Sequence, residues 1–255
     1  MGCRQLVSIL LLVSAPLALL AGHAVALESG PIPADNPGEA RRVTWGAGGI
    51  AFFQAQDFEV RELSVAGFDL SDVRGADVDN AVLGSAFAVD FELFPWLTLI
   101  GVLGVVDGET ELSLRSYLPR ITAEYSGVLY GGGAVLRHTA KSLFGEVAIQ
   151  YTGADLGVHH DLSSLTVRPR LGYRHGDGDV ELWAGPAYWR ARERHSGTVD
   201  ARFVGDVRYD LLLRESSAFS VLLGCRARVA ARWRLQVELA AYEALAVDAG
   251  LAYRF

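Results

Sequence analysis

The chain has 255 residues, enough for one large domain or two small ones, and its formal net charge is −7 at pH 7. This acidic balance argues against nucleic acid as a partner, because nucleic-acid-binding surfaces are strongly basic. Hydrophobic residues make up 51% of the chain, yet beyond the N-terminal segment no run reaches the roughly 20 apolar residues of a membrane-spanning helix.

The first 42 residues carry export signals rather than a fold. Arg4 precedes an apolar run over 6–20, and a small-x-small cleavage site ends at Ala26. We therefore expect residues 1–26 to be a secretory signal peptide. Residues 27–42 contain three prolines and no apolar periodicity, and we expect them to form a flexible periplasmic lead-in.

From residue 43 onward, apolar side chains alternate with small or polar ones, which is the period of a β-strand. The clearest alternation places Leu165, Val167 and Leu171 opposite Arg168 and Arg170. The pattern predicts ten strands, with errors of roughly two to four residues at each boundary, so eight or twelve strands stay open. The predicted strands cover 43–56, 80–93, 97–106, 122–136, 142–152, 163–174, 179–190, 217–229, 232–239 and 247–255.

The connections between the predicted strands alternate in length. Residues 57–79 hold seven acids and two arginines, and we expect a long surface loop there. Residues 191–216 form the last large predicted loop, in which 207–213 extends a strand. Residues 94–96 and 137–141 are predicted tight turns, the first because it contains a proline. Short turns at one end and longer loops at the other are typical of transmembrane barrels, whereas a soluble sandwich predicts no such asymmetry.

The last eight residues carry the most specific motif. Asp248, Gly250, Tyr253 and Phe255 resemble the signal that the β-barrel assembly machinery reads in the final strand of its substrates. The chain as a whole resembles small Gram-negative outer-membrane barrels of the outer-membrane protein A/W-like kind. That resemblance implies export through the periplasm, insertion by the assembly machinery, and contact with outer-membrane lipid and lipopolysaccharide.

The expected fold is therefore all-β: a closed, antiparallel, up-and-down transmembrane β-barrel over residues 43–255, with about ten strands. Both termini are expected on the periplasmic side, and no second domain is predicted. We favour a monomer. The rival fold is a secreted soluble β-sandwich or β-barrel that binds a ligand.

If the apolar face of each strand meets lipid, the opposite face lines the lumen and encloses many charges. Enclosed charges must pair or be hydrated, and arginine suits pairing because it bonds carboxylates bidentately. The predicted luminal charge network consists of Asp90, Glu92, Glu146, Arg168, Arg170, Arg174, Glu181, Arg226, Arg228, Arg234, Glu238, Asp248 and Arg254.

Two interpretations of this network stay open. It is either a structural ion-pair core or a narrow channel that selects small anions, since arginines outnumber acids on the later strands. A lumen of about eight strands is just filled by side chains, and wide channels need about 16 strands. We therefore favour the structural core over a conducting pore.

Catalytic and metal-binding patterns are weak in this sequence. His159 and His160 lie in one predicted outer loop and His195 in another, and neither site shows a nucleophile, a base and an orienting group together. Two neighbouring histidines without further ligands do not make a closed metal site. We interpret these residues as surface-loop polarity and expect no enzyme, no metal and no cofactor. The alternative is an outer-membrane enzyme that acts on lipid or peptide.

Overall fold

A computed structural model of the protein describes residues 44–65, 68–69, 76–114, 121–156, 160–176, 178–201, 205–215, 218–242 and 244–255. The predicted signal peptide (1–26) and lead-in (27–42) lie outside the described residues. In the described part of the chain, no helix is long and apolar enough to span a membrane.

The described residues form β-strands joined by turns. The strands are β1 (Thr44–Val65), β2 (Phe68–Asp69), β3 (Ala76–Phe94), β4 (Leu97–Leu114), β5 (Ile121–Ala140), β6 (Leu143–Asp155), β7 (His160–His175), β8 (Val180–Ala201), β9 (Gly205–Glu215), β10 (Phe219–Ala230), β11 (Trp233–Tyr242) and β12 (Ala244–Arg254). Ten of them close into an antiparallel ring in the order β1, β3 to β8, β10, β11, β12 and back to β1. The predicted all-β, closed barrel of ten strands is confirmed.

The last strand closes the ring against the first. β12 pairs with β1 from Gly46↔Arg254 to Gln56↔Ala244. Beyond this ladder, the backbone N–H of Phe255 donates to the carbonyl of Trp45 at 3.1 Å, and the two rings stack with centroids 3.7 Å apart. We call the end of the barrel that carries Trp45 and Phe255 the inner end, and the opposite end the outer end.

At the outer end a different strand completes the ring. β9 pairs with β8 on one side, as at Arg192↔Arg214, and with β1 on the other, from Phe58↔Glu215 to Val65↔Tyr209. The β11–β12 hairpin stops below it, because β12 leaves β1 at Gln56. The barrel therefore has ten strands at the inner end and an outer ring of eight: β1, β3 to β8 and β9.

Several predicted loops and turns are strand in the structure. Residues 57–65 belong to β1, 76–79 to β3 and 191–201 to β8, and β5 continues through the predicted turn as far as Ala140. These loop predictions are wrong for a common physical reason. The strands extend beyond the apolar belt, where their outward side chains become charged, and a charged strand has the composition of a loop.

Large apolar side chains point outward around the barrel and form a continuous exposed belt. Exposed aromatic rings lie at both edges of this belt. Those at the inner edge are Trp45, Phe94, Trp96, Trp233 and Phe255, and those at the outer edge are Tyr130, Tyr151 and Phe219. An apolar belt between two aromatic girdles is the surface of a barrel that a lipid bilayer covers.

The interior has two unlike parts. Over 82–88, 100–106 and 127–135, the inward positions of β3, β4 and β5 are apolar or glycine, and their side chains form one buried cluster with Ile50 and Phe52 of β1. Residues 97–106 are apolar on both faces, and the structure shows that Ile100 and Val102 point inward and Leu103 outward. Most of the buried charges lie across the lumen, on β6 to β12, and they are joined near the inner end by Asp90 of β3 and Arg137 of β5.

Candidate functional site in the barrel lumen

The predicted luminal charges occupy inward strand positions near the inner end, and most of them are buried. Asp90, Glu146, Arg168, Arg170, Glu181, Arg226, Glu238 and Asp248 are each no more than 7% exposed. Glu92, Arg174, Arg234 and Arg254 are half-buried. Arg228 is exposed and pairs with the exposed Asp179 at 3.1 Å, so it lies at the rim of the inner end rather than inside the lumen.

Glu181 on β8 is the centre of one group of ion pairs. Arg137 binds it bidentately, with donor–acceptor distances of 2.7 and 3.2 Å. Arg226 donates to the same carboxylate at 3.0 Å, and Arg174 lies 3.2 Å from it. Arg226 also donates to Gln236 at 2.8 and 3.0 Å. One carboxylate thus holds three arginines from β5, β7 and β10.

Glu238 on β11 is the centre of a second group. It accepts hydrogen bonds from Arg168 at 2.8 Å and from Arg170 at 2.6 Å, and from the indole Nε1 of Trp183 at 2.9 Å. Arg170 also pairs with Glu146, which lies 3.5 Å from Arg137. The two groups are therefore linked into one buried network, which we call the charge layer.

The remaining charges border this layer. Arg254 pairs with Asp90 at 3.0 Å, which ties the last strand to β3 across β1. Glu92 accepts a hydrogen bond from the hydroxyl of Thr44 at 3.0 Å. Asp248 lies 3.8 Å from Arg168. These contacts extend the pairing from the middle of the lumen to the seam between the first and last strands.

Sequence reasoning missed Arg137, which it placed in a turn. Arg137 is 6% exposed, and its guanidinium also lies 4.0 Å from the centroid of the Phe144 ring. The signal was present, because Val135 and Arg137 share the inward parity of β5. Continuing the alternation two residues further would have found it.

The charge layer and the charges that border it are together nearly neutral. Seven arginines face six carboxylates in this part of the lumen, with Arg228 left out because it lies at the rim. The arginines are Arg137, Arg168, Arg170, Arg174, Arg226, Arg234 and Arg254, and the acids are Asp90, Glu92, Glu146, Glu181, Glu238 and Asp248. A constriction built to select anions needs a clear positive excess, whereas this one carries a single uncompensated charge.

Above the charge layer lies a small internal cavity of about 90 Å³. It has a mixed lining, with Arg168, Glu238 and Asp248 on the inner side and Asn80 and Phe58 on the outer side. A space of this size holds a few water molecules.

A second polar group, the outer polar cluster, closes the cavity from the outer side. The carboxylate of Glu193 accepts hydrogen bonds from Asn80 at 2.8 Å and Thr110 at 3.0 Å and contacts the ring of His195. Asn80 also donates to the hydroxyl of Tyr125 at 2.9 Å. Each member comes from an inward position of β3, β4, β5 or β8.

The prediction of loop polarity for His195 is therefore wrong. His195 is 1% exposed and Glu193 is fully buried, because β8 continues beyond the belt and its odd positions still point inward. His159 and the side chain of His160 lie outside the described residues. Among the described side chains, no group of three His, Cys, Asp or Glu residues could hold a metal ion.

An outer apolar cluster completes the closure inside the eight-stranded outer ring. Its members are buried side chains from β1, β3, β4, β8 and β9: Phe58, Leu63, Val78, Leu112, Ala191, Leu211 and Leu213. Leu213 of β9 is fully buried. The strand that narrows the barrel thus also supplies part of the cluster that fills it.

No protein-family model matches the chain, and no curated protein sequence matches it. The chain is similar in structure to the outer-membrane protease OmpT of Escherichia coli, with 11% identity, 85% of this chain and 99% of that chain covered, and a TM-score of 0.44. It is also similar to the transport unit of the autotransporter AIDA-I of Escherichia coli, with 12% identity, 86% and 93% covered, and a TM-score of 0.43.

A third similar structure is an outer-membrane channel of Pseudomonas putida F1, with 12% identity, 86% of this chain and 99% of that chain covered, and a TM-score of 0.37. These values identify no function for this chain. The finer resemblance to outer-membrane protein A/W-like barrels stays a prediction.

Proposed function

We propose that this protein is an integral outer-membrane β-barrel with a closed lumen, and that its role is structural rather than catalytic or conducting. The exposed apolar belt between aromatic girdles supports the membrane position, and the predicted signal peptide supports export. The observation that carries the closed lumen is the charge layer, whose ion pairs cross the barrel.

Some of these ion pairs connect strands that are not neighbours in the sheet. Arg137 of β5 reaches Glu181 of β8, and Arg170 of β7 reaches Glu238 of β11, so these side chains reach into the lumen instead of lying along its wall. Opening a path would leave buried charges unpaired, and removing one partner of a buried pair costs about 3–5 kcal/mol. A path would also require displacement of the outer apolar cluster.

The proposal extends to partners and biogenesis. The barrel contacts outer-membrane lipid and lipopolysaccharide, and it is inserted by the β-barrel assembly machinery, which reads Asp248, Gly250, Tyr253 and Phe255. The seam contacts of Phe255 with Trp45 are consistent with a terminal aromatic that matters for closure. We propose a monomer without cofactor or enzymatic activity. The buried His195 of the outer polar cluster contacts Glu193, whose carboxylate also accepts hydrogen bonds from Asn80 and Thr110. This set of contacts supports a structural role for the histidine.

Conductance in planar lipid bilayers tests the closed lumen. We expect the folded protein to insert without producing current steps at neutral pH. Stable anion-selective steps would overturn the proposal in favour of the narrow channel. Fractionation tests the membrane position separately: recovery with outer membranes and heat-modifiable migration on gels support it, while recovery in the soluble periplasm contradicts it.

A further inference from the structure

Two prolines face each other in the wall of the barrel and interrupt its hydrogen-bonded ladder. The β7–β8 register runs from His160↔His195 to Val167↔Tyr188 and resumes at Leu171↔Ala184. The three positions missing from the ladder centre on Pro169 and Pro186. Neither residue has an N–H to donate, and for that reason proline is normally excluded from the interior of a sheet.

Beside this break, the outer surface of the wall contains a groove of about 760 Å³, which we call the wall groove. It crosses four neighbouring strands, β5 to β8. Its sides are the apolar residues Leu136, Val147 and Leu171, and its depth comes from Gly145 and Ala184, whose side chains are absent or small. These residues occupy outward positions, so the groove opens to the lipid-covered belt.

A glycine next to Pro186 leaves β8 without an inward side chain at the break. A Cβ at Gly185 would collide with the carbonyl oxygen of Pro169, so no side chain fits at that inward position. Arg137, Glu146 and Arg170 also border the wall groove, but their side chains point into the lumen and are at most 4% exposed. Their charges therefore face the lumen and not the groove.

The inner end of the wall groove carries two aromatic rings, and a lysine follows it in the chain. His138 and Trp96 line it, and both are exposed. Trp96 is held against β5 because its carbonyl accepts the backbone N–H of Arg137 at 3.0 Å. Lys141, the only lysine of the chain, occupies the following β5–β6 turn with φ of 56°. An apolar groove at the belt edge, with the cationic Lys141 three residues beyond its lining residue His138, matches an acyl chain with a phosphate headgroup.

We propose that the wall groove holds an acyl chain of one phospholipid from the inner-side leaflet, with the lipid phosphate bound at His138 and Lys141. The inference rests on the proposed membrane position but not on the closed lumen. Ordinary lipid covers the belt everywhere else. Here the glycine-lined depth and the nearby Lys141 select a single, retained molecule.

Native mass spectrometry of the folded barrel in detergent micelles, titrated with dioleoylphosphatidylglycerol, tests this binding. We expect one retained lipid per barrel. Filling the groove with Gly145→Leu and Ala184→Leu should weaken binding at least about tenfold, equivalent to the loss of about two buried CH₂ groups. The matched control is Gly101→Leu. Both glycines face outward, and a Cβ at either one would lie 3.5 Å from a cross-strand apolar side chain.

The headgroup contact is tested with Lys141→Asn, because asparagine tolerates the positive φ of this turn while removing the charge. Binding of dioleoylphosphatidylglycerol should weaken about fivefold, the worth of one cation near a lipid surface, while binding of uncharged dioleoylglycerol should not change. Heat-modifiable migration establishes that each variant is folded and inserted. A wild-type barrel that inserts but retains no lipid, or equal losses in the groove variant and the Gly101→Leu control, would show that the wall groove is not a lipid site.

Discussion

Replacing Glu181 by glutamine is the most direct test of the charge layer. The substitution keeps the shape of the side chain but removes the charge that holds Arg137, Arg174 and Arg226. Arg137 retains Glu146 at 3.5 Å and Arg226 retains the neutral Gln236, so the compensation is partial. We expect a loss of about 3–5 kcal/mol in the free energy of unfolding, which is about two to four powers of ten in the equilibrium constant.

Urea unfolding of the barrel from lipid vesicles, followed by tryptophan fluorescence, measures this loss. Glu92→Gln is the matched control, because Glu92 also faces the lumen but is half-buried and accepts a neutral hydrogen bond from Thr44. An amide oxygen can accept the same bond, so the control should lose no more than about 1 kcal/mol. Equal, small losses in both variants would mean that the luminal charges are hydrated rather than paired, and the argument for a closed lumen would fail.

Three further changes probe other parts of the barrel. Leu213→Ala should lower the free energy of unfolding by about 2–5 kcal/mol, because Leu213 is fully buried inside the outer ring. The loss should appear as a lower urea midpoint. A change within error would refute the idea that the outer apolar cluster closes the lumen. Pro169→Val with Pro186→Val restores two N–H donors and should stabilise the barrel by about 1–3 kcal/mol. The two new amides should exchange their hydrogens as slowly as the neighbouring amides of β7 and β8. Unchanged stability would mean that the break in the ladder costs no free energy of unfolding. Deleting Phe255, which stacks on Trp45, should lower the amount of folded barrel in outer membranes while export continues, and unchanged membrane levels would argue against an assembly signal.

Side-chain alternation was sufficient to predict which face most strands turn inward, but not for residues 97–106, which are apolar on both faces. Leu165, Val167 and Leu171 point outward and Arg168 and Arg170 inward, as the period of two requires. The alternation gives no height along the barrel axis, however. For this reason Arg228 was grouped with the buried arginines although it lies exposed at the inner rim.

Composition misled where strands continue past the bilayer. Glu193 and His195 lie in a segment rich in charge, and the outward residues Arg192 and Arg194 dominate its character. The inward residues of the same strand are buried in a cluster that only the fold reveals. A charged segment that keeps an alternating pattern is therefore better predicted as an extended strand than as a loop.

Register is the other quantity that one sequence does not contain. The alternation places Pro169 and Pro186 at outward positions, and each alone is a minor irregularity. Their consequence for the wall arises because β7 and β8 pair so that the two prolines are opposite each other. Pairing of distant segments is set by the turns and by packing of the whole sheet.

The double pairing of β1 means that the two ends of the barrel are closed by different strands. The outer half of β1 takes β9 as its neighbour, with Phe58 opposite Glu215, while its inner half takes β12, with Gly46 opposite Arg254. The eight-stranded outer ring therefore contains neither strand of the β11–β12 hairpin. Loss of the β1–β12 ladder would open the inner ring while the β1–β9 ladder still held the outer ring closed.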